Sequence, residues 1–182
     1  MGNHLKQLNA TFMAAEDRIL LRLITTGREE FRIWLTRRVV RKLARELGGA
    51  ERRLLGLENP QSGYVAPGAR AIQEFQREAR TADVDFGERF EDKADALPFG
   101  ADPVLAAGCE VQLQGESASV ALVLGNKRTL NFVLDVRGIH GTLAMLQKAV
   151  AHSDWELGQE LESPKTPKPL CHYCLNIESS NY

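Results

Sequence analysis

The chain has 182 residues, of which 43% are hydrophobic and 26% are charged, and its formal net charge at pH 7 is −1. A chain of this length can bury a sizeable core, and the near-zero charge argues against a protein that binds polyanions with its whole surface. No apolar stretch approaches the roughly 18 residues of a membrane span and the amino terminus lacks a secretory signal, so we expect a cytoplasmic protein that does not bind membranes.

The first predicted elements are three strands followed by a helix. Leu5 to Ala14 favours a strand, and Ile19 to Ile24 alternates in the manner of a second one. Phe31 to Leu35 predicts a third strand, which runs back along the second one after a glycine turn. Thr36 is a typical N-cap residue, and we expect the helix that follows it to end at Gly48-Gly49.

An insertion of roughly 50 residues follows, which is long for a connection inside one domain. It is rich in glycine and proline, and 69–82 is the one stretch that predicts a helix. The end of the insertion is acidic and contains three phenylalanines, which we expect to tether the insertion to the core: Phe86, Phe90 and Phe99.

The second half of the chain repeats the pattern of the first. Glu110 to Gln114, Val120 to Leu124 and Leu130 to Leu134 predict strands, and Asp135 predicts the N-cap of a helix. The helix has an apolar stripe at helical spacing: Ile139, Leu143, Leu146 and Val150. After Trp155 the chain is polar and contains three prolines, which predicts a disordered tail over 158–182.

The two halves lie about 99 residues apart and predict an α+β fold of two pseudo-symmetric βββα repeats. The repeats would form one antiparallel sheet with both helices on one face and a helical insertion between them; two sheets packed as a sandwich are the alternative. We expect a single domain over 1–157. Within it, the predicted boundaries are repeat one 4–48, insertion 49–103 and repeat two 104–153.

The first helix has a basic surface. Five bases lie off its apolar stripe: Arg37, Arg38, Arg41, Lys42 and Arg45. Guanidinium groups suit phosphates and carboxylates, so this face predicts a site for an anionic partner, either nucleic acid or an acidic protein. The alternative is a solvated helix face that is partly neutralised by the acidic insertion.

The sheet face opposite the helices combines bases with an aromatic ring. Arg22, Arg32 and Trp34 are predicted to share it, a combination that can stack and neutralise single-stranded nucleic acid. Four apolar residues are predicted to point the same way: Leu20, Ile24, Ala121 and Val123. We therefore favour an interface between copies of the chain, with Trp34 at its centre.

Signals for catalysis or metal binding are sparse. Cys171 and Cys174 form a C-x-x-C pair, which is half of a zinc site, but no second pair exists and we expect no cofactor or metal. His140 and His152 are predicted on the exposed side of the second helix. An enzyme with a pocket between core and insertion, using His140 or the acidic loop, remains the alternative function.

Two resemblances add to this picture. The segments 16–22 (EDRILLR) and 31–38 (FRIWLTRR) resemble a small family of uncharacterised bacterial proteins of similar length, and this resemblance implies no activity, cofactor or catalytic residue. The tandem strand-rich halves are similar in topology to single-stranded nucleic-acid binders of the PUR and Whirly types, although those folds have one more strand in each repeat. We therefore predict a non-enzymatic binding or assembly module, a homodimer that docks through its sheet face.

Overall fold

Eight strands and two long helices follow one another in the computed structural model, which describes residues 4–59, 62, 64–69, 71–73, 75 and 94–155. In chain order they are β1 (Leu5–Met13), β2 (Arg18–Thr25), β3 (Glu30–Leu35), α1 (Arg37–Leu54), β4 (Glu58–Asn59), β5 (Tyr64–Val65), β6 (Val104–Gln114), β7 (Ser117–Leu124), β8 (Thr129–Asp135) and α2 (Val136–Val150). The predicted tail, Phe86 and Phe90 lie outside the described residues.

Six of the strands form one mixed sheet in the order β1-β2-β3-β6-β7-β8, and β4 pairs with β5 in a separate hairpin. Each set of three consecutive strands is an antiparallel meander. The sequence predicted a sheet that is antiparallel throughout. That prediction is wrong, because β3 and β6 pair in parallel through Ile33↔Val104 and Trp34↔Leu105. Parallel pairing of β3 with β6 is possible because the long insertion brings the chain back to the end at which β3 starts.

The core lies between the helices and one face of the sheet. Alternate residues of β2 and β7 are buried there, such as Leu21 and Leu122, each at most 1% exposed. The helix α1 packs mainly against β6 and α2, while α2 packs mainly against α1 and β1. Each helix therefore covers the first strand of the other meander, and its apolar stripe is removed from water, which is the main stabilising contribution.

Both helices begin where the sequence predicts. The Thr36 hydroxyl accepts a hydrogen bond from the Val39 amide at 3.4 Å, and the Asp135 carboxylate accepts one from the Gly138 amide at 2.7 Å. Each side chain satisfies one of the backbone donors that a helix leaves unpaired in its first turn. Both N-cap predictions are confirmed.

The end of α1 differs from the prediction. The helix passes through Gly48-Gly49 and continues to Leu54, because Ala50 and Glu51 bury their side chains in the interior. Burial of this extra turn outweighs the roughly 1 kcal/mol that each glycine costs inside a helix. Tertiary packing thus overrides a stop signal that is typical of helix ends.

The insertion contacts the core through the part of it that is described. Residues 69, 71–73 and 75 are helical, within the predicted 69–82. The Phe99 ring packs edge-on against Phe31 with centroids 4.9 Å apart, and Arg128 lies 4.1 Å above it. The tethering role expected of Phe99 is therefore observed. Neither α1 nor α2 is long and apolar enough to cross a membrane, and no other described helix is.

Candidate functional site

The outer face of the sheet, opposite the helices, presents an apolar surface. Leu20 of β2, Trp34 of β3 and Leu105 of β6 lie in one row, since Leu20 pairs with Trp34 and Trp34 pairs with Leu105. Leu20 and Trp34 are half-buried, and Leu105 is 39% exposed. In-register neighbours on a sheet point to the same side, so the three side chains form a continuous apolar row.

On the second meander the outward face carries further apolar residues, interspersed with polar ones such as Glu110 and Asn131. Ala121 and Val123 of β7 alternate with the buried Val120 and Leu122, so they point outward, and Val133 of β8 pairs with the outward Ser119. Val123 is 39% exposed and Val133 is 52% exposed. We call the six outward apolar residues the outer patch: Leu20, Trp34, Leu105, Ala121, Val123 and Val133. Ile24, which was expected among them, is instead 2% exposed.

The two arginines of this face, Arg22 and Arg32, share one buried carboxylate. Their Nε atoms lie 2.7 and 2.8 Å from Oε1 of Glu30, whose side chain is 1% exposed. Arg32 also donates to the carbonyl of Ala101 at 3.3 Å. Burial alone would raise the pKa of Glu30, but hydrogen bonds from Arg32 and Arg22 hold the pKa below its ordinary value. The arginines are thus committed to an internal cluster of the sheet.

Sequence reasoning missed Glu30, although a signal for it existed. Period-two alternation places Glu30 on the same side of β3 as Arg32, and the neighbouring strand brings Arg22 beside it. The strand was predicted to begin at Phe31, so Glu30 was not assigned to either of its faces. Assigning it to a strand face would have predicted the ion pair.

Two of the five bases of α1 bind the backbone of β6. Arg38 donates to the carbonyl of Ala107 at 3.4 Å, and Lys42 donates to the carbonyl of Cys109 and lies 3.4 Å from Glu46. These carbonyls lie beyond Leu105, where β3 has ended and no longer pairs with β6. Cys109 is a buried residue whose carbonyl needs a donor, and Lys42 supplies it in place of the missing strand; Ala107 is exposed, and Arg38 binds its carbonyl at the surface.

The remaining three bases line the outside of α1. Arg37, Arg41 and Arg45 are exposed and follow one another at intervals of four residues. Side chains four residues apart lie on the same side of a helix, so their guanidinium groups form a stripe about two turns long. We call these three residues the arginine stripe.

His140 lies in the interior, and the prediction that it is exposed is wrong. His140 and Glu51 are both 0% exposed, and Nδ1 of the histidine lies 2.6 Å from Oε1 of the glutamate. Gln73 of the insertion donates to Oε2 of Glu51 at 2.6 Å and to the carbonyl of Gly48 at 3.2 Å. This cluster joins α1, α2 and the insertion, and in this arrangement no substrate reaches its imidazole. His152 is exposed, as predicted.

The described residues contain neither a reactive cysteine nor a cluster of metal ligands. Cys109 is buried, and burial together with the nearby Glu46 raises the pKa of its thiol to about 11, so the thiol remains protonated and unreactive at neutral pH. Over 4–59 and 94–155 and the few described positions between them, no three His, Cys, Asp or Glu side chains are grouped to hold a metal. Cys171, Cys174 and the acidic loop at 83–92 lie outside that part.

Comparison of the chain with protein-family models, with curated proteins and with solved structures found no match in any of the three. The outer patch offers exposed apolar area, and the arginine stripe offers positive charge. The arginine stripe lies on α1, and the outer patch lies on the sheet face that the helices leave uncovered. The two surfaces are therefore on opposite layers of the molecule.

Proposed function

We propose that this chain is a non-enzymatic assembly module that forms a homodimer through the outer patch. The observation that carries the proposal is the exposure of Leu105, which pairs with Trp34, together with that of Val123 and Val133 farther along the same sheet face. Covering such a face with a second copy removes apolar area from water, which favours association. Tryptophan is enriched at the centres of interfaces, where it supplies a large contact area.

The charges of the same face also support self-association over nucleic-acid binding there. A groove for single strands needs cations that can reach phosphates beside the rings that stack on bases. Arg22 and Arg32 instead share Glu30 at 2.7 and 2.8 Å. The phosphates of a bound strand would have to compete with a buried carboxylate for both guanidinium groups.

The dimer proposal is tested by placing charge in the patch. The double variant Leu105→Lys, Val123→Lys exposes two like charges where two copies would meet, so each copy should stay monomeric. Sedimentation equilibrium of the full chain from about 1 to 200 μM, the range in which interfaces of this kind associate, is expected to give the mass of two copies for the unmodified protein and of one for the variant.

A matched control carries the same number of new charges elsewhere. Leu113→Lys, Val65→Lys alters two residues that are 40% and 49% exposed but lie outside the outer patch, and it should dimerise like the unmodified chain. A monomeric unmodified protein at the highest concentration, or a patch variant that still dimerises, contradicts the proposal.

A second candidate function is binding of an anionic partner, single-stranded nucleic acid or an acidic protein, by the arginine stripe. The supporting observation is that Arg37, Arg41 and Arg45 are all exposed on one side of α1. Of the five bases predicted for this site, Arg38 and Lys42 donate to β6 carbonyls, and this candidate uses the three that follow one another along one side of the helix. Three guanidinium groups one turn apart can contact successive phosphates or carboxylates.

The stripe is tested with a fluorescent 20-mer of oligo-deoxythymidine and a polyglutamate of equal charge. Reversing Arg37, Arg41 and Arg45 to Glu should weaken binding strongly and reduce the slope of log affinity against log salt by about 2, the value for three phosphate contacts on a single strand. Reversing Arg18, Lys127 and Lys148 gives an equal change of net charge as the control. Equal loss in both triple variants, or no binding by the unmodified protein, would rule this candidate out.

We further propose that the two βββα halves descend from one unit. The spans support it: β2 covers 18–25 and β7 covers 117–124, and the N-caps are Thr36 and Asp135. Irregular pairing also occurs at matching places, between Leu5 and Gln7 in β1 and between Ala106 and Gly108 in β6. Under this alignment Trp34 and Val133 of the outer patch are counterparts.

A further inference from the structure

A groove of about 990 Å³ lies between the two ends of the six-stranded sheet. Residues 4–8 form one side of it, residues 131–135 of β8 form the other, and the first half of α2, from Arg137 to Met145, forms the floor. Cavities of this size are typical of sites for small molecules. The groove is separate from the arginine stripe, and it shares Val133 with the outer patch.

Apolar side chains that the core leaves half-exposed surround this groove. Leu5 and Leu8 of β1, Phe132 of β8 and Met145 of α2 line it, and each is half-buried. The two leucines and Phe132 pack against the core with one side and border the groove with the other. An apolar chain in the groove would therefore remove apolar area of both partners from water, which favours binding.

The floor of the groove is open because α2 has a glycine at its centre. A Cβ built on Gly141 would meet no atom within 4 Å, so packing inside the chain does not require glycine at this position. Gly138 differs, since a Cβ there would lie 3.1 Å from the Leu134 side chain. Glycine destabilises the interior of a helix. What Gly141 provides in return is free space above the floor.

The first helix fills the corresponding space with a long side chain. When the two halves are aligned through their N-caps, Thr36 and Asp135, the counterpart of Gly141 is Lys42, and the counterpart of β1 is β6. Lys42 reaches across to β6 and donates to the Cys109 carbonyl. The space that this side chain occupies between α1 and β6 stays open between α2 and β1.

One end of the groove carries a positive charge. Arg137 is exposed in the first turn of α2, and its guanidinium makes no ion pair or hydrogen bond within the described part of the chain. Asp135 lies at the same end, where its carboxylate accepts the Gly138 amide at 2.7 Å as the helix cap. Lys6 and Gln7 also line the groove, but both have partners of their own, so a ligand's charge is assigned to Arg137 alone.

We propose that this groove binds the anion of a free medium-chain fatty acid. The carboxylate contacts Arg137, whose guanidinium can donate two parallel hydrogen bonds to it, and the hydrocarbon chain runs over Gly141 to Met145, between Leu8 and Phe132. The floor from Arg137 to Met145 is about 12 Å long at about 1.5 Å for each helical residue, which suits one chain of medium length. This activity goes beyond self-association, since the groove and the outer patch are different surfaces.

The probe is decanoate, which is titrated into the full chain below its micelle-forming concentration and followed by calorimetry. Decanol keeps the chain without the charge, decyltrimethylammonium reverses the charge, and butyrate keeps the charge on a short chain. Decanoate should bind at least about tenfold more tightly than decanol or decyltrimethylammonium, the scale of one charge-assisted contact. It should bind at least about a hundredfold more tightly than butyrate, because buried methylenes add affinity. Absence of decanoate binding at about 1 mM, or equal binding of decanoate and decyltrimethylammonium, overturns the proposal.

Two variants locate the carboxylate and the chain separately. Arg137→Gln should weaken decanoate at least about tenfold and leave decanol within about twofold, because it removes the charged contact alone. Gly141→Leu fills the floor and should weaken both ligands at least about tenfold, because the chain loses its buried position. Arg45→Gln and Gly49→Leu are the matched controls on α1 and should change neither affinity by more than about twofold. Unchanged decanoate affinity in both groove variants refutes the assignment.

The outer patch is a competing apolar surface, so its double variant Leu105→Lys, Val123→Lys is titrated with decanoate as well. The affinity should stay within about twofold of that of the unmodified chain, because the groove is intact. A loss of binding confined to this variant would place decanoate on the outer patch and contradict the assignment. The mass of the dimer is measured without decanoate, so it distinguishes a failure here from a failure of self-association.

The methionine methyl groups give a second readout that does not depend on affinity. The chain has three methionines; Met145 lines the groove, whereas Met13 is 39% exposed at the end of β1 outside it. In NMR spectra of protein with isotope-labelled methionine methyl groups, the Met145 signal, assigned with Met145→Leu, should shift when decanoate is added. The Met13 signal should stay in place. A shift of Met13 without a shift of Met145 would contradict binding in the groove.

Discussion

Glu30 shows how one buried carboxylate determines what a surface can bind. Its side chain is 1% exposed and receives Arg22 and Arg32 at 2.7 and 2.8 Å. A buried charge is tolerated when charged hydrogen bonds satisfy it, and here the arrangement also immobilises two arginines that are half-exposed on the sheet. The consequence is that the two bases beside Trp34 are already bound to a carboxylate of the protein itself.

This cluster predicts a specific dependence of stability on pH. The pKa of Glu30 lies below its ordinary 4.5, so its contribution to folding is complete above that pH and is lost as the pH falls through the lowered value. Glu30→Gln should lower the free energy of unfolding at pH 7 by about 2 kcal/mol and should cost less at pH 3. Urea unfolding at pH 7, 5 and 3 measures both effects.

The control for this prediction is an ion pair in water. Asp95 lies 3.0 Å from Arg28, and its side chain is 65% exposed. Asp95→Asn should change stability by no more than about 0.5 kcal/mol at any of the three pH values, because solvent screens exposed pairs. A Glu30→Gln variant as stable as the unmodified protein at pH 7 would show that the cluster is not stabilising.

At the scale of elements, α1 acts as a partner for β6. Strand pairing between β3 and β6 stops after Trp34 and Leu105, and the helix that follows β3 continues along the same edge. Arg38 and Lys42 then bind the carbonyls that a strand would have bound. Two of the five bases on this helix thus bind the neighbouring strand, a role that composition alone does not reveal.

Removal of the structural donor should destabilise the protein. Lys42→Met keeps the apolar stem of the side chain but leaves the Cys109 carbonyl without this donor, so we expect a loss of about 1 to 2 kcal/mol in the free energy of unfolding. Lys42→Arg should recover most of it. Arg45→Met, one turn away and exposed, is the control, with an expected change within about 0.5 kcal/mol in thermal or urea unfolding. Equal effects at the two positions would refute the structural role of Lys42.

How far the sequence predicted each element depends on the range of the interactions involved. Strands β2, β3 and β7 and both N-caps follow from local alternation and capping chemistry, and all were predicted. The extension of α1 past Gly48-Gly49 depends on burial of Glu51 against His140, two residues far apart in the chain. Burial of His140 was mispredicted for the same reason, since its partner belongs to another helix.

At the scale of the whole molecule, the sequence predicted a mixed α+β protein but not how its two meanders join. The expectation of a wholly antiparallel sheet failed at the parallel pairing of β3 with β6, which follows from the path of the insertion. That path leaves no local signature in the strands themselves. The groove between β1 and β8 was not predicted either, because it depends on which strands become the ends of the sheet.

The crossed packing of the helices makes the two meanders mutually dependent. Because α1 covers β6 and α2 covers β1, a fragment that contained one meander with its own helix would lack the helix that covers its first strand. The parallel seam between the meanders contributes only two residue pairs, so their cohesion comes from the exchanged helices rather than from continuous sheet. This architecture is suited to split-protein reconstitution, in which two separately produced pieces acquire order on meeting each other.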